Sequence, residues 1–336
     1  MSGAPGLLLT GGTQAPLAGL RPHRRQFRRA VLAGLRHPGA EARPVAARGR
    51  REAGMVGRSQ PVLLRSATVT ERGTLLTCLP DTALELDPAT GRVLRSLTHP
   101  WFSDVHHARP APSDGVYVVA TGLDLVLEME WSGRVRREWP MGSPSTWERF
   151  DRGRDFRRAP PPRPHHVHPN HVLPFRDELW VTCFHPCALV CVEGRRRGAI
   201  VPLATCGVHD GHVEGSTAWC TAVEGRIVAV DLERLEVRAE HDLLAFGGVE
   251  AKVGWFRGVQ PLGDGTFLVG VSRLRRTRLH ENLVWLRHRE WDRPRYRHSV
   301  LLHVRPETRT VLREIDLRPA GLDAVYSVVS VGGAPA

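Results

Sequence analysis

One apolar position recurs along this chain with a period that few folds share. It is Leu75 in TERGTLLTC, Tyr117 in PSDGVYVVA, Trp180 in RDELWVTC, Trp219 in STAWCTA and Phe267 in GDGTFLVGV, at spacings of 42, 63, 39 and 48 residues. Each stretch alternates or is rich in β-branched residues, so each reads as a short strand. A second strand, a reversal and a third strand follow, as in TALELDPATGRVLRSL, LVLEMEWSGRVRREW and GRIVAVDLERLEVRAE. A period near 40 residues with four strands per unit is that of a propeller blade. The long spacing is explained by a Pro- and Arg-rich insert at 141–164. A second insert, 273–297, falls within the fifth unit and reads as a loop with a short helix.

The expected fold is therefore all-β: a β-propeller of six four-stranded blades over 59–333, with five or seven blades as alternatives. GLDAVYSVVSVGG (321–333) supplies the inner strand or strands of the sixth blade, and GLLLTG (6–11) or QPVLLRS (60–66) closes the ring. Residues 1–58 read as an Arg-rich, partly irregular extension. It holds a short helix at QFRRAVLAGLRH, packs outside the propeller and can contribute the closing strand.

The formal charge of +12 would suit a nucleic-acid partner, but Lys252 is the only lysine and the arginines gather in HRRQFRR, DRGRDFRR and RLRRTRLH without interleaved aromatics. That pattern reads as solvated loops in a chain of GC-rich coding bias, so nucleic acid is not the expected partner. No apolar run is long enough to span a bilayer, and MSGAPGLLLTGGTQ lacks the basic start of an export signal. The expectation is a cytoplasmic protein with no membrane partner. Its six cysteines form no CxxC pair, so they are read as reduced, buried thiols. Cys183 and Cys191 fall on two strands that turn at His185-Pro186.

The blade register also points to chemistry, because the first strand of each blade lines the central channel. Ten residues before each apolar anchor stand Arg65, His107, Asn170, His209 and Arg257, with His171 one residue further on. Three imidazoles from three blades suit a divalent metal such as zinc, iron or copper, with an open position for water or substrate. The candidate ligands are His107, His171 and His209, with His212 competing for the last place. Arg257 and Arg65 are candidates to hold an anionic group, and Asp210 and Asp104 to orient a histidine. Without a metal, one neutral histidine can act as base or nucleophile while Arg257 and Asn170 bind the transferred group. His165, His166 and His168 fall off this register and read as solvent-facing loop. The substrate expected is a small molecule or peptide, anionic in character. A non-catalytic binding scaffold is the reading from another class.

The pattern of VHHARPAPSDGVYVVAT and NHVLPFRDELWVTC resembles blades of NHL-like six-bladed propellers. Within that group the peptidyl-hydroxyglycine lyases hold zinc with one histidine from each of three blades. That resemblance implies His107, His171 and His209 as ligands, with Arg257 or Arg65 beside them. The same segments are similar to arylsulfotransferase-type propellers, which implies a histidine nucleophile at His171 or His209 with Asn170 and Arg257 binding the anion. GWFRGVQPLGDGTFLVGVSRLRRTRLHENLVWLRH most resembles bacterial propeller proteins of unassigned function.

Overall fold

The computed structural model describes residues 6–15, 26–57, 60–161, 165–247, 254–273 and 298–331. Six four-stranded antiparallel sheets form the ring. Blade one runs outward through Ala67–Val69, Leu75–Leu79, Thr82–Leu86 and Val93–Leu97. The inner strands of blades two to five are Val105–Ala111, Pro169–Phe175, His212–Glu214 and Gly254–Pro261. All five apolar anchors lie in second strands, as the period predicts. The outer reversals are set by carboxylates: Asp87 accepts from the amides of Ala89 and Thr90, and Asp231 from those of Glu233 and Arg234.

Blade six closes the ring with both ends of the chain. Ala324–Ser330 is its inner strand, and Leu7–Gln14, Phe27–Leu35 and Arg43–Arg48 follow outward. GLLLTG is thus the closing strand, while QPVLLRS runs alongside without joining a sheet. The extension expected at 1–58 is in large part blade. Its expected helix is the strand Phe27–Leu35, paired on one side with Leu7–Gln14 and on the other with Arg43–Arg48. Arginine, alanine and leucine favour a helix locally, but two ladders of backbone bonds and burial on both faces override that preference. The 141–164 insert holds one helical turn, Thr146–Arg149, and drives Phe156 fully into the core between blades. The second insert lies outside the described residues beyond Arg273.

Apolar side chains interleave between neighbouring blades in separate clusters, with Trp180, Phe102 and Phe256 wholly buried. Cys78, Cys183, Cys191 and Cys220 are buried free thiols, as expected. Cys187 and Cys206 are instead joined in a disulfide with their Cα atoms 4.5 Å apart. Their separation of 19 residues spans the outer half of one blade and the crossing to the next, a pairing that spacing alone does not reveal. Among the described residues, no helix is long and apolar enough to cross a membrane.

Every inner strand carries the same irregularity near its start. Val105 and His107 oppose consecutive residues, so His106 is an extra residue, and Asn170, Gly258 and Tyr326 occupy the same slot in their strands. Backbone bonds from Arg65 to Cys78 and from His209 to Thr221 place Ser66 and Asp210 there too. A β-bulge kinks its strand and re-aims side chains. Six such kinks at one level gather chemistry around the mouth where the inner strands begin.

Candidate functional site

The bulge level brings together Arg65, His106, His209, Arg257 and Tyr326. Arg257 lies over the Tyr326 ring at 4.4 Å, and Arg65 at 5.7 Å from the same centroid. The His209 ring is 5.4 Å from His106 and 5.7 Å from Tyr326. His168 completes the group, 5.1 Å from His106. The solvent-facing reading holds for His166 alone. His165 is buried, and His168 is partly buried within this ring.

Partners divide these groups sharply. Arg65 is buried and pairs with Asp104; burial works against its charge, but that carboxylate more than offsets it and the guanidinium is held above its ordinary value. His106 Nδ1 lies 2.7 Å from the Asp104 carbonyl, and Arg65 Nη1 lies 2.6 Å from Nδ1 and 2.7 Å from Nε2 of the same ring. Burial, reinforced by Arg65, keeps that imidazole neutral well below its usual range. His209 is different. It is 1% exposed, and neither ring nitrogen has a hydrogen-bond partner among the described residues. Burial first, then Arg257, lowers its pKa well below the ordinary value.

Two other predicted residues serve the fold. Asp210 accepts from the amide and hydroxyl of Thr221 at 2.8 and 2.6 Å and from the amide of Gly258, tying the start of blade four's inner strand to its own hairpin and to the inner strand of blade five. Neither His209 ring nitrogen bonds to it among the described residues, so Asp210 is not the orienter of that ring. Asn170 donates to the Val208 carbonyl at 2.9 Å, while its Oδ1 has no partner among the described residues.

The expected three-histidine centre for zinc, iron or copper does not fit this geometry. His107 and His171 stack face to face, with centroids 3.4 Å and planes 13° apart. A ring nitrogen's lone pair lies in the ring plane, so two stacked imidazoles aim side by side and not at one ion. His107 is also fully engaged: Nδ1 accepts from the Val172 amide at 3.2 Å, so Nε2 donates to Thr68 at 3.1 Å. His209 belongs to the other cluster, and His212 lies with His171 and Arg109 further down the channel. Among the described residues, no three His, Cys, Asp or Glu side chains are grouped to hold a metal.

The ten-residue rule fails for a local reason. The residue before each bulge pairs 13, 15, 14, 12 and 13 residues on, at Arg65–Cys78, Val105–Ala120, Pro169–Cys183, His209–Thr221 and Arg257–Gly270. Because hairpin length varies, a fixed offset lands before the bulge in three blades, on it at Asn170 and after it at His107. The offset therefore selects His107 over its neighbour His106, and His168 falls off the register altogether. Tyr326 is missed because that strand's partner lies at the other end of the chain. Arg109, two residues beyond His107 in VHHARPA, was legible by strand alternation alone.

The chain matches no known protein-family model and no curated protein sequence. Among solved structures it is similar to a protein of unknown function from Bacteroides caccae, at 14% identity and a TM-score of 0.59, covering 97% of this chain and 98% of that one. It is also similar to a catalytically inactive virginiamycin B lyase from Staphylococcus aureus with quinupristin, at 10% identity and a TM-score of 0.46, over 71% and 73% of the two chains. A glutaminyl cyclase from Myxococcus xanthus aligns at 9% identity and a TM-score of 0.38, over 61% and 84%. Likeness at such identities speaks to architecture alone, and the first of these carries it over nearly the whole length: the chain is a six-bladed β-propeller.

Proposed function

We propose that the protein is a metal-independent enzyme in which His209 acts as general base or nucleophile on a small anionic substrate held by Arg65 and Arg257. One observation carries this reading: a buried imidazole whose two nitrogens have no partner among the described residues. Burying polar atoms without partners costs free energy, and native structures seldom do so without a use for them. Because burial and Arg257 keep His209 neutral, its lone pair is free at neutral pH. As a base it takes a proton from the substrate and returns it to the leaving group. As a nucleophile it displaces the leaving group, which departs with the bonding electrons. In both cases Arg65 and Arg257 offset charge on the substrate's oxygens, and Asp104 and His106 keep Arg65 in place.

The test is turnover of aryl sulfates, aryl phosphates and carboxylate esters by chelator-treated, untagged protein. One class is expected to react, with kcat/KM falling by about 10²-fold or more in His209→Gln, and with KM rising in Arg257→Gln. Activity that vanishes on chelation and returns with zinc, iron or copper would restore the metal-dependent reading. Full activity in His209→Gln sinks the proposal, and no turnover of any class favours a binding scaffold.

A further inference from the structure

At the mouth where the inner strands finish, the channel widens into a cavity of about 520 Å³. Arg109, near the end of Val105–Ala111, lines it and makes no ion pair with a carboxylate among the described residues. Two carboxylates do border the cavity, but Asp210 is occupied by Thr221 and Gly258, and Glu71 is exposed. Burial draws Arg109 down to about 10. The imidazoles beside it add no charge: burial and then Arg109 bring His212 to about 4 and hold His171 well below its usual value. His171 Nδ1 is buried without a partner among the described residues. A partly buried cation that pairs with no carboxylate among the described residues gains by taking up an anion.

We infer that this cavity binds a small monocarboxylate, with its carboxylate on Arg109 and its apolar body against the partly exposed Val69 and Val213. A single guanidinium matches one negative charge and presents the planar fork that a carboxylate accepts. The valines that contribute to the walls favour an alkyl chain over an inorganic dianion, and the volume is that of a small-molecule pocket, roughly 300–1,000 Å³. None of these residues belongs to the His209 cluster, so the site stands apart from the proposed catalytic centre.

Isothermal titration of the full chain with acetate, butyrate and hexanoate, and with sulfate and inorganic phosphate at matched ionic strength, tests this. One carboxylate is expected to bind per chain, more tightly as the alkyl chain lengthens. Affinity should fall about tenfold or more in Arg109→Gln and hold in Arg257→Gln. Arg109→Lys, which keeps the charge without the fork, should fall between. Arg109→Gln removes a cation that pairs with no carboxylate among the described residues and is expected to melt no lower than the parent, so its loss of binding is not a loss of fold. The inference fails if no carboxylate binds, if sulfate or phosphate binds as tightly, if binding survives Arg109→Gln, or if Arg257→Gln abolishes it instead.

Discussion

The two ends of the central channel hold the same chemistry in opposite states. Where the inner strands begin, Arg65 is locked to Asp104 and to the oriented ring of His106. Where they finish, Arg109 faces a cavity with no carboxylate paired to it among the described residues. Both guanidiniums come from inner strands or their immediate approach; Arg65 is buried and Arg109 partly buried. Their partners set them apart: Asp104 fixes the position of Arg65, and Arg109 pairs with no carboxylate among the described residues. The contrast gives the largest predicted effect. Arg65→Gln breaks a buried ion pair with Asp104 and should cost about 3–5 kcal/mol in urea unfolding, whereas Arg109→Gln should cost nothing measurable. Equal losses in the two variants would erase the distinction.

His209 and His107 repeat the contrast among the imidazoles. At fixed folded concentration, His209→Gln should lower kcat/KM by about 10²-fold, equivalent to about 2.7 kcal/mol of transition-state stabilisation. His107→Gln should leave kcat/KM unchanged, because both of its nitrogens are already bound to protein. If His107→Gln instead removes activity while the protein stays folded, the stacked pair belongs to the chemistry and the division between the two clusters is wrong.

The blades were legible in the sequence because each must bury an alternating second strand, and Leu75, Tyr117, Trp180, Trp219 and Phe267 mark that strand whatever the loops do. The closing blade was only half legible. Its inner strand showed in AVYSVVS, but FRRAVLAGL has helical composition and becomes a strand only through partners from both ends of the chain. The site was legible in residue type and obscure in register. Arg65, His209 and Arg257 were found at equivalent positions, since their hairpins happen to be of nearly equal length. His107 stood in for His106, because that hairpin is longer and a bulge separates the neighbours onto different sides of the chemistry. A one-residue bulge leaves no mark in composition or periodicity.

Both ends of the channel contribute to acid sensitivity, and the sign follows from burial. His106, His107, His171, His209 and His212 are all held below the ordinary histidine value, foremost by burial. Below about pH 6.5 the unfolded chain takes up protons that the folded protein refuses, so stability falls as pH falls. Each such histidine adds at most about 1.4 kcal/mol per pH unit. For His212 the window runs from 6.5 down to about 4 and closes below it. Urea melts across this range should therefore slope, and His212→Gln should flatten the slope. Since protonating carboxylates also destabilise in acid, the difference between parent and variant is the measurement. A slope that His212→Gln leaves untouched would mean that this ring is charged or exposed in the folded protein.

The smallest effect tests the finest assignment, the tautomer of His107. The Val172 amide can only donate, so Nδ1 must be the acceptor and Nε2 must carry the proton that reaches Thr68. Asparagine places its carbonyl oxygen near the position of Nδ1 and can keep the first bond while losing the second. His107→Asn should then cost about 1 kcal/mol, the net value of one buried hydrogen bond. His107→Ala, which leaves the Val172 amide without its acceptor and removes the ring stacked on His171, should cost more. The order matters more than the size. If asparagine is no better than alanine, Nδ1 is not the acceptor, and His107 loses its claim to be a structural ring.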